Sequence, residues 1–200
     1  MARAGYPQEQ RLTTPPRPAR VFFALWPDDG VRDALHREAQ RLHRNCGGRV
    51  MRRENVHLTL VFVGDVAVER LDELKAVAGT ICGSSFELVL DRLGYWRHNR
   101  IVWASPLTVP EALRELVSSL EDRLKHAGFE FDERPYAPHI TLLRDARAPG
   151  VPAPLHLDWP VADFVLVESA RSDQGSAYRV LARWNLGDYD PVMPAKAGIQ

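Results

Sequence analysis

At 200 residues the chain is long enough to bury a sizeable core, in one domain or in two small lobes sharing a sheet. Its 45% hydrophobic and 26% charged residues are the balance of an ordinary soluble protein. Basic and acidic residues cancel at 26 each, which argues against a grip on a long strand through many phosphates and leaves room only for local contact with one end, one phosphate or one nucleotide.

Residues 1–19 carry Gly5, Pro7, Pro15, Pro16 and Pro18 with few large apolar groups, the composition of a disordered extension. The folded body is expected over residues 20–186, with 187–200 as a tail lacking periodicity. Val21, Phe22, Phe23 and Leu25 predict a buried strand, and Val31, Ala34, Leu35, Ala39 and Leu42 a helix over Asp29 to Arg44. A strand follows over Val56 to Val63, then a helix with Leu71, Leu74, Val77, Ala78 and Ile81 on its apolar face. Alternation from Phe86 predicts one half-buried strand running on towards Tyr95, and Arg100 to Ser105 another. Thr108 and Glu111 have the spacing of a capping box, ahead of a helix striped by Leu113, Leu116, Val117, Leu120 and Leu124 and ended by Gly128. Strands are expected at His139 to Leu143, Phe164 to Ala170 and Tyr178 to Trp184.

This order contains a repeat. Strand, helix and strand lead from Val21 to His57, and again from Ile101 to His139. Two copies of one unit pack about a pseudo-twofold axis to bury both apolar faces. The predicted class is α+β: two pseudo-twofold-related lobes of mostly antiparallel strands, helices on the outer faces, and a groove between the lobes.

At matching points of the repeat stand His57-Leu58-Thr59-Leu60 and His139-Ile140-Thr141-Leu142. Strand side chains alternate, so each His–Thr pair shares one face while the apolar partners point into the core. With 7 histidines and 6 threonines in 200 residues, about 0.2 His-x-Thr triplets are expected by chance. Two occur, at equivalent positions, which favours a shared function over two incidental strands. Imidazoles titrate near neutral pH, so a converging pair can donate and accept protons at one centre.

With these tetrads the sequence resembles the 2H phosphoesterase superfamily, named for two H-x-T-x motifs, and within it the RNA 2′,3′-cyclic phosphodiesterases, historically called 2′-5′ RNA ligases. The resemblance runs from about Arg20 to Trp184. It is carried by Val21-Phe22-Phe23-Ala24-Leu25, by Asn55 to Leu60 with Phe62 and Gly64, and most specifically by Arg134-Pro135-Tyr136-Ala137-Pro138 leading through the second motif to Arg144-Asp145. It implies that His57 protonates the leaving 3′ oxygen and His139 activates water, leaving a 2′-phosphate. It implies that Thr59 and Thr141 bind the non-bridging phosphate oxygens, with no metal and no cofactor. The residues alone name the pair but not which histidine donates. The implied partner is an RNA end or nucleotide bearing a 2′,3′-cyclic phosphate. Joining of ends by the same site and a non-catalytic nucleotide-binding module remain the alternatives.

Around the motifs, Arg144 is a candidate phosphate or ribose contact, or an exposed strand-end arginine. Tyr136 is a candidate base-stacking residue, or a loop aromatic packed on the core; Arg134 is a possible nucleotide contact beside it. His36, His43, His98, His126 and His156 lack metal-ligand companions and are read as solvated. Arg52 and Arg53 are candidates to steer an RNA end, with an ordinary charged turn including Glu54 the favoured reading, and Trp96, Trp103, Trp159 and Trp184 are expected to fill the core or cover its edges. Cys46 and Cys82 form neither a disulfide framework nor a C-x-x-C pair. No apolar run approaches the ~18–20 residues of a membrane span, and Arg11, Arg17 and Arg20 interrupt any signal-peptide core. A cytoplasmic monomer is the expectation.

Overall fold

The computed structural model describes residues 17–150, 154–172 and 175–187. The expected extension lies outside the described residues up to residue 16, as does the tail from residue 188. Ala19 already belongs to the first strand.

The elements follow in the order β1 (Ala19–Leu25), α1 (Asp29–Cys46), β2 (Arg49–Val50), β3 (Leu58–Val66), α2 (Leu71–Ala78), β4 (Phe86–Leu90), β5 (Arg92–Trp96), β6 (Ile101–Ser105), α3 (Glu111–His126), β7 (Ile140–Arg144), β8 (Leu157–Val161), β9 (Asp163–Ser172) and β10 (Gly175–Asn185). The main sheet has the order β10-β9-β1-β3-β7-β6-β5, with β2 added on β7. All of its pairings are antiparallel. Its centre is narrow: β3 and β7 meet through the single pair Leu58–Ile140. On either side lie β1 and β6, the first strands of the two repeated units, so the order reads the same outward from that pair. Two sheet-containing lobes joined at a pseudo-twofold axis are the result.

Helix α1 starts where Asp28 Oδ1 accepts the Val31 N–H at 2.9 Å. It buries Val31, Leu35, Ala39, Leu42 and Cys46, one stripe at helical spacing, and ends at Gly47. It packs against β2 and β7, while α3 packs against β3, so each helix covers the other unit's strand. That exchange merges the lobes into one core containing Leu35, Leu42, Leu58, Leu60, Leu113, Leu120, Ile140 and Leu142. Each such leucine contributes about 1.5–3 kcal/mol by leaving water. The helices therefore lie on one face of the sheet and leave the other free for a groove.

Two local expectations are corrected. The Thr108–Glu111 capping box is not made: α3 begins at Glu111 with Pro110 as its cap residue, and Glu111 pairs with Arg114 at 2.9 Å. The strand expected from Phe86 towards Tyr95 breaks at Asp91, whose carboxylate accepts the Leu107 N–H at 2.6 Å. Its halves join different sheets, β4 pairing with β8 and β5 with β6. The tryptophans lie as expected: Trp159 of β8, opposite Leu88 of β4, and Trp184 join the core, Trp103 is buried, and Trp96 packs beside it with centroids 5.6 Å apart. No described helix is long and apolar enough to cross a membrane.

Candidate active site

His57 and His139 stand one residue before β3 and β7, directly beside the Leu58–Ile140 pair that joins the lobes. Continuing that antiparallel register by one residue sets His57 across from Thr141 and His139 across from Thr59. Each histidine thus faces the threonine of the other motif. Leu58, Leu60, Ile140 and Leu142 are buried on the opposite face.

Both strands then carry a bulge at the same point. Phe23–Val61 and Ala24–Thr59 pair across β1 and β3, leaving Leu60 extra; Val102–Leu143 and Trp103–Thr141 pair across β6 and β7, leaving Leu142 extra. The inserted residue reverses the alternation, so Leu60 and Val61 both enter the core, as do Leu142 and Leu143. Phe62 and Arg144, three places after the threonines, return to the groove. One cleft is lined by both histidines, both threonines, Phe62 and Arg144, with Asn55, Ser169 and Tyr178 among the remaining walls. No carboxylate lines it among the described residues.

The two imidazoles are anchored alike. His57 Nδ1 lies 2.7 Å from the Asn55 carbonyl and His139 Nδ1 lies 2.8 Å from the Ala137 carbonyl. A carbonyl only accepts, so Nδ1 carries the proton in each ring and Nε2 is left for chemistry. Burial pushes the His57 pKa down to about 4, opposed by the Asn55 hydrogen bond and helped by the charges of His139 and Arg144. The His139 pKa is also lowered, by burial first and by Arg144. Free of ligand, both rings are neutral near pH 7. An arriving phosphate would offset the Arg144 charge and raise both, so the arrangement couples protonation to anion binding.

The remaining candidates divide. Arg144 faces the cleft and acts electrostatically on both histidines, and no ion pair is made by its guanidinium among the described residues. Arg134 is exposed and engaged by Asp132, its Nε 2.8 Å from Oδ1 and 2.9 Å from Oδ2. Tyr136 packs against the core, its hydroxyl buried without a hydrogen-bond partner and its pKa raised by burial and Glu121. It packs on the core and, with Arg134, also lines the wider hollow that shares Thr59, His139, Thr141 and Arg144 with the cleft, so both of its readings stand. Arg53 is held by Asp33 and by Asp29 at 3.0 Å, as befits a charged turn. Cys46 is buried and Cys82 exposed, both as free thiols. No three His, Cys, Asp or Glu side chains gather as metal ligands among the described residues.

Several site residues escape a reading of the sequence. Phe22, Trp26 and Tyr178 surround His57, and Trp96 stands edge-on to His139 at 4.4 Å. Trp96 and the exposed His98 also line a wider hollow that shares Thr59, His139, Thr141 and Arg144 with the cleft. These aromatic residues come from β1, β5, β10 and their ends, and their juxtaposition has no local pattern. Phe22 alone had a cue, since it lies in the first-strand segment of the resemblance.

Residues 25–103 and 105–178 match the LigT like Phosphoesterase family as two successive stretches. The chain is 35% identical over 172 residues to the RNA 2′,3′-cyclic phosphodiesterase of Escherichia coli K12, covering 84% of this chain and 97% of that one. It is 32% identical over 181 residues to the protein of the same description from Thermus thermophilus, covering 84% and 90%. The crystal structure of E. coli LigT in apo form superposes with a TM-score of 0.78 at 33% identity, over 86% of this chain and 99% of that one. The same protein complexed with 3′-AMP gives 0.77 at 33% identity, over 84% and 98%. The chain belongs to the LigT-like RNA 2′,3′-cyclic phosphodiesterase family of the 2H phosphoesterase superfamily.

Proposed function

We propose that the protein hydrolyses 2′,3′-cyclic phosphates at RNA ends to 2′-phosphomonoesters by proton transfer between two histidines. The observation that carries this is the pair of imidazoles, each with Nδ1 anchored on a carbonyl, lining one carboxylate-free cleft with Thr59, Thr141 and Arg144. In the reaction, His139 Nε2 takes a proton from water as it attacks phosphorus. His57, neutral in the free site, takes up a proton on Nε2 as the anionic substrate offsets the Arg144 charge, and gives it to the departing 3′ oxygen, so the phosphate remains on the 2′ oxygen. Each transfer contributes ~10²–10⁴-fold. Thr59 and Thr141 donate hydrogen bonds to the non-bridging oxygens, where charge gathers in the transition state, and Arg144 neutralises it. The E. coli relative complexed with 3′-AMP supports a nucleotide-bearing ligand. Proton donation to the leaving group performs the task a Lewis acid would otherwise perform. The protein is further proposed to work as a cytoplasmic monomer.

The test is incubation with a short RNA ending in a 2′,3′-cyclic phosphate, with the product monoester identified by phosphorus NMR. A 2′-phosphate is expected, with His57→Ala and His139→Ala each slower by at least ~10²-fold and wild-type turnover surviving EDTA. Near-wild-type turnover in either variant would overturn the mechanism. Binding without turnover would favour a nucleotide-binding module, and a joined product from two RNA ends would favour ligation.

A further inference from the structure

His57 is enclosed far more completely than His139. The Trp26 indole stacks on its ring, with centroids 5.5 Å apart and planes 16° from parallel. Phe22 lies 4.9 Å away, tilted by 35°, and Tyr178 stands edge-on at 5.1 Å. Tyr178 is also edge-on to Phe22 at 5.3 Å and to Trp26 at 6.5 Å, so the rings brace one another. His139, by contrast, has Trp96 alone as an aromatic neighbour among the described residues.

Phe22 is explained by packing, since it is 3% exposed and buried with Ala24, Val165 and Val167. Trp26 is not. It follows the last residue of β1, stays partly exposed, and lies at the edge of that small cluster. Its indole is itself steadied from α1: the Arg32 guanidinium lies over the ring at 5.9 Å and donates to the Pro27 carbonyl at 2.7 Å.

We propose that Trp26 is a positioning residue, whose indole fixes the plane of the His57 imidazole and closes one of its faces to water. The hydrogen bond to Asn55 leaves the ring free to swing about Nδ1; a parallel indole removes that freedom. With Phe22 and Tyr178 on other sides, Nε2 remains as the working edge. The inference rests on His57 serving in the proposed reaction.

The indole acts on protonation in two opposed ways. Its π face attracts an imidazolium, while its bulk excludes the water that would solvate one. The groups that act on His57 electrostatically are His139 and Arg144, both of which disfavour its protonation, while the Asn55 carbonyl favours it. Tyr178 faces it from β10 with a ring edge. Burial outweighs each of these, so losing the indole is expected to restore proton affinity on balance.

The experiment compares wild type with Trp26→Ala and Trp26→Phe. His57 is titrated by ring-proton NMR in the free protein, and kcat and KM are measured against pH on RNA ending in a cyclic phosphate. Trp26→Ala should move the His57 titration upward towards that of a free imidazole. It should lower kcat by on the order of 10-fold with KM changed much less, and shift one limb of the pH profile. Trp26→Phe, which keeps a flat face, should recover most of the loss. If Trp26→Ala does not fold, Trp26→Leu takes its place: it keeps bulk but has no plane to stack, so kcat should fall in the same way while the His57 titration moves downward, as loss of the π face alone requires. An unmoved His57 titration and an unmoved limb in a folded variant would overturn the proposal. Absence of turnover in wild type would instead refute the reaction, and the NMR titration would still judge Trp26.

Discussion

The depressed proton affinity of His57 is also a statement about folding free energy, and His57→Asn isolates it. An asparagine amide N–H can occupy the place of Nδ1, donate to the Asn55 carbonyl as Nδ1 does at 2.7 Å, and never titrate. An unfolded chain protonates this imidazole below its ordinary 6.5, whereas the folded chain does so only below about 4. Between those values the unfolded state binds the extra proton, so stability falls as the pH is lowered through the window. Above 6.5 both states are neutral and the contribution is fully kept. At 1.36 kcal/mol per pH unit, the interval amounts to about 3 kcal/mol. The assay is urea denaturation of wild type and His57→Asn at several pH values between about 7 and 4. Wild type should lose about 3 kcal/mol more than the variant across that range. Carboxylates held low by arginine partners, such as Asp33, Glu73 and Asp132, lose stability in acid too, but equally in both proteins. Parallel curves, differing by less than about 0.5 kcal/mol throughout, would refute the reasoning.

Two further outcomes test the surroundings of the site. Arg144→Ala should raise the proton affinity of both histidines, because its charge disfavours the imidazolium in each, and should slow turnover on the order of 10²-fold; unshifted ring-proton titrations would count against Arg144 facing the cleft. Gly94→Ala should lower the urea midpoint by the equivalent of about 1–3 kcal/mol, since an added Cβ would sit 2.0 Å from a ring carbon of Trp103; an unchanged midpoint would show that the Trp103 ring is not held across that glycine.

Much of the frame was legible because it rests on local repetition. The stripes of α1 and α3 recur at helical spacing, so their buried residues could be named before any contact was known. Leu58, Leu60, Ile140 and Leu142 alternate with the His–Thr pairs, which assigned faces to both motifs. The failures are also local in origin. The alternation of Phe86, Leu88 and Leu90 lapses at Asp91 and Arg92, but nothing in that lapse says that Asp91 leaves the sheet to accept the Leu107 N–H. Strand β8 carries Pro160 and charged neighbours, and it is made a strand by pairing with β4.

By itself, then, the order of residues determined the repeat, the two motifs and the inward direction of their apolar partners, since these depend on periodicities of two and 3.6 along one segment. Tertiary structure alone decided that bulges at Leu60 and Leu142 turn Phe62 and Arg144 back into the cleft, because an inserted residue between apolar neighbours leaves no mark on composition. It alone brought Phe22, Trp26 and Tyr178 around one imidazole, and set Arg134, held by Asp132, and the partly buried Tyr136 on the hollow beside the cleft. The bulges and the aromatic side chains around His57 depend on strand order and register between segments distant in sequence, where burial and pairing across the sheet outweigh any local preference.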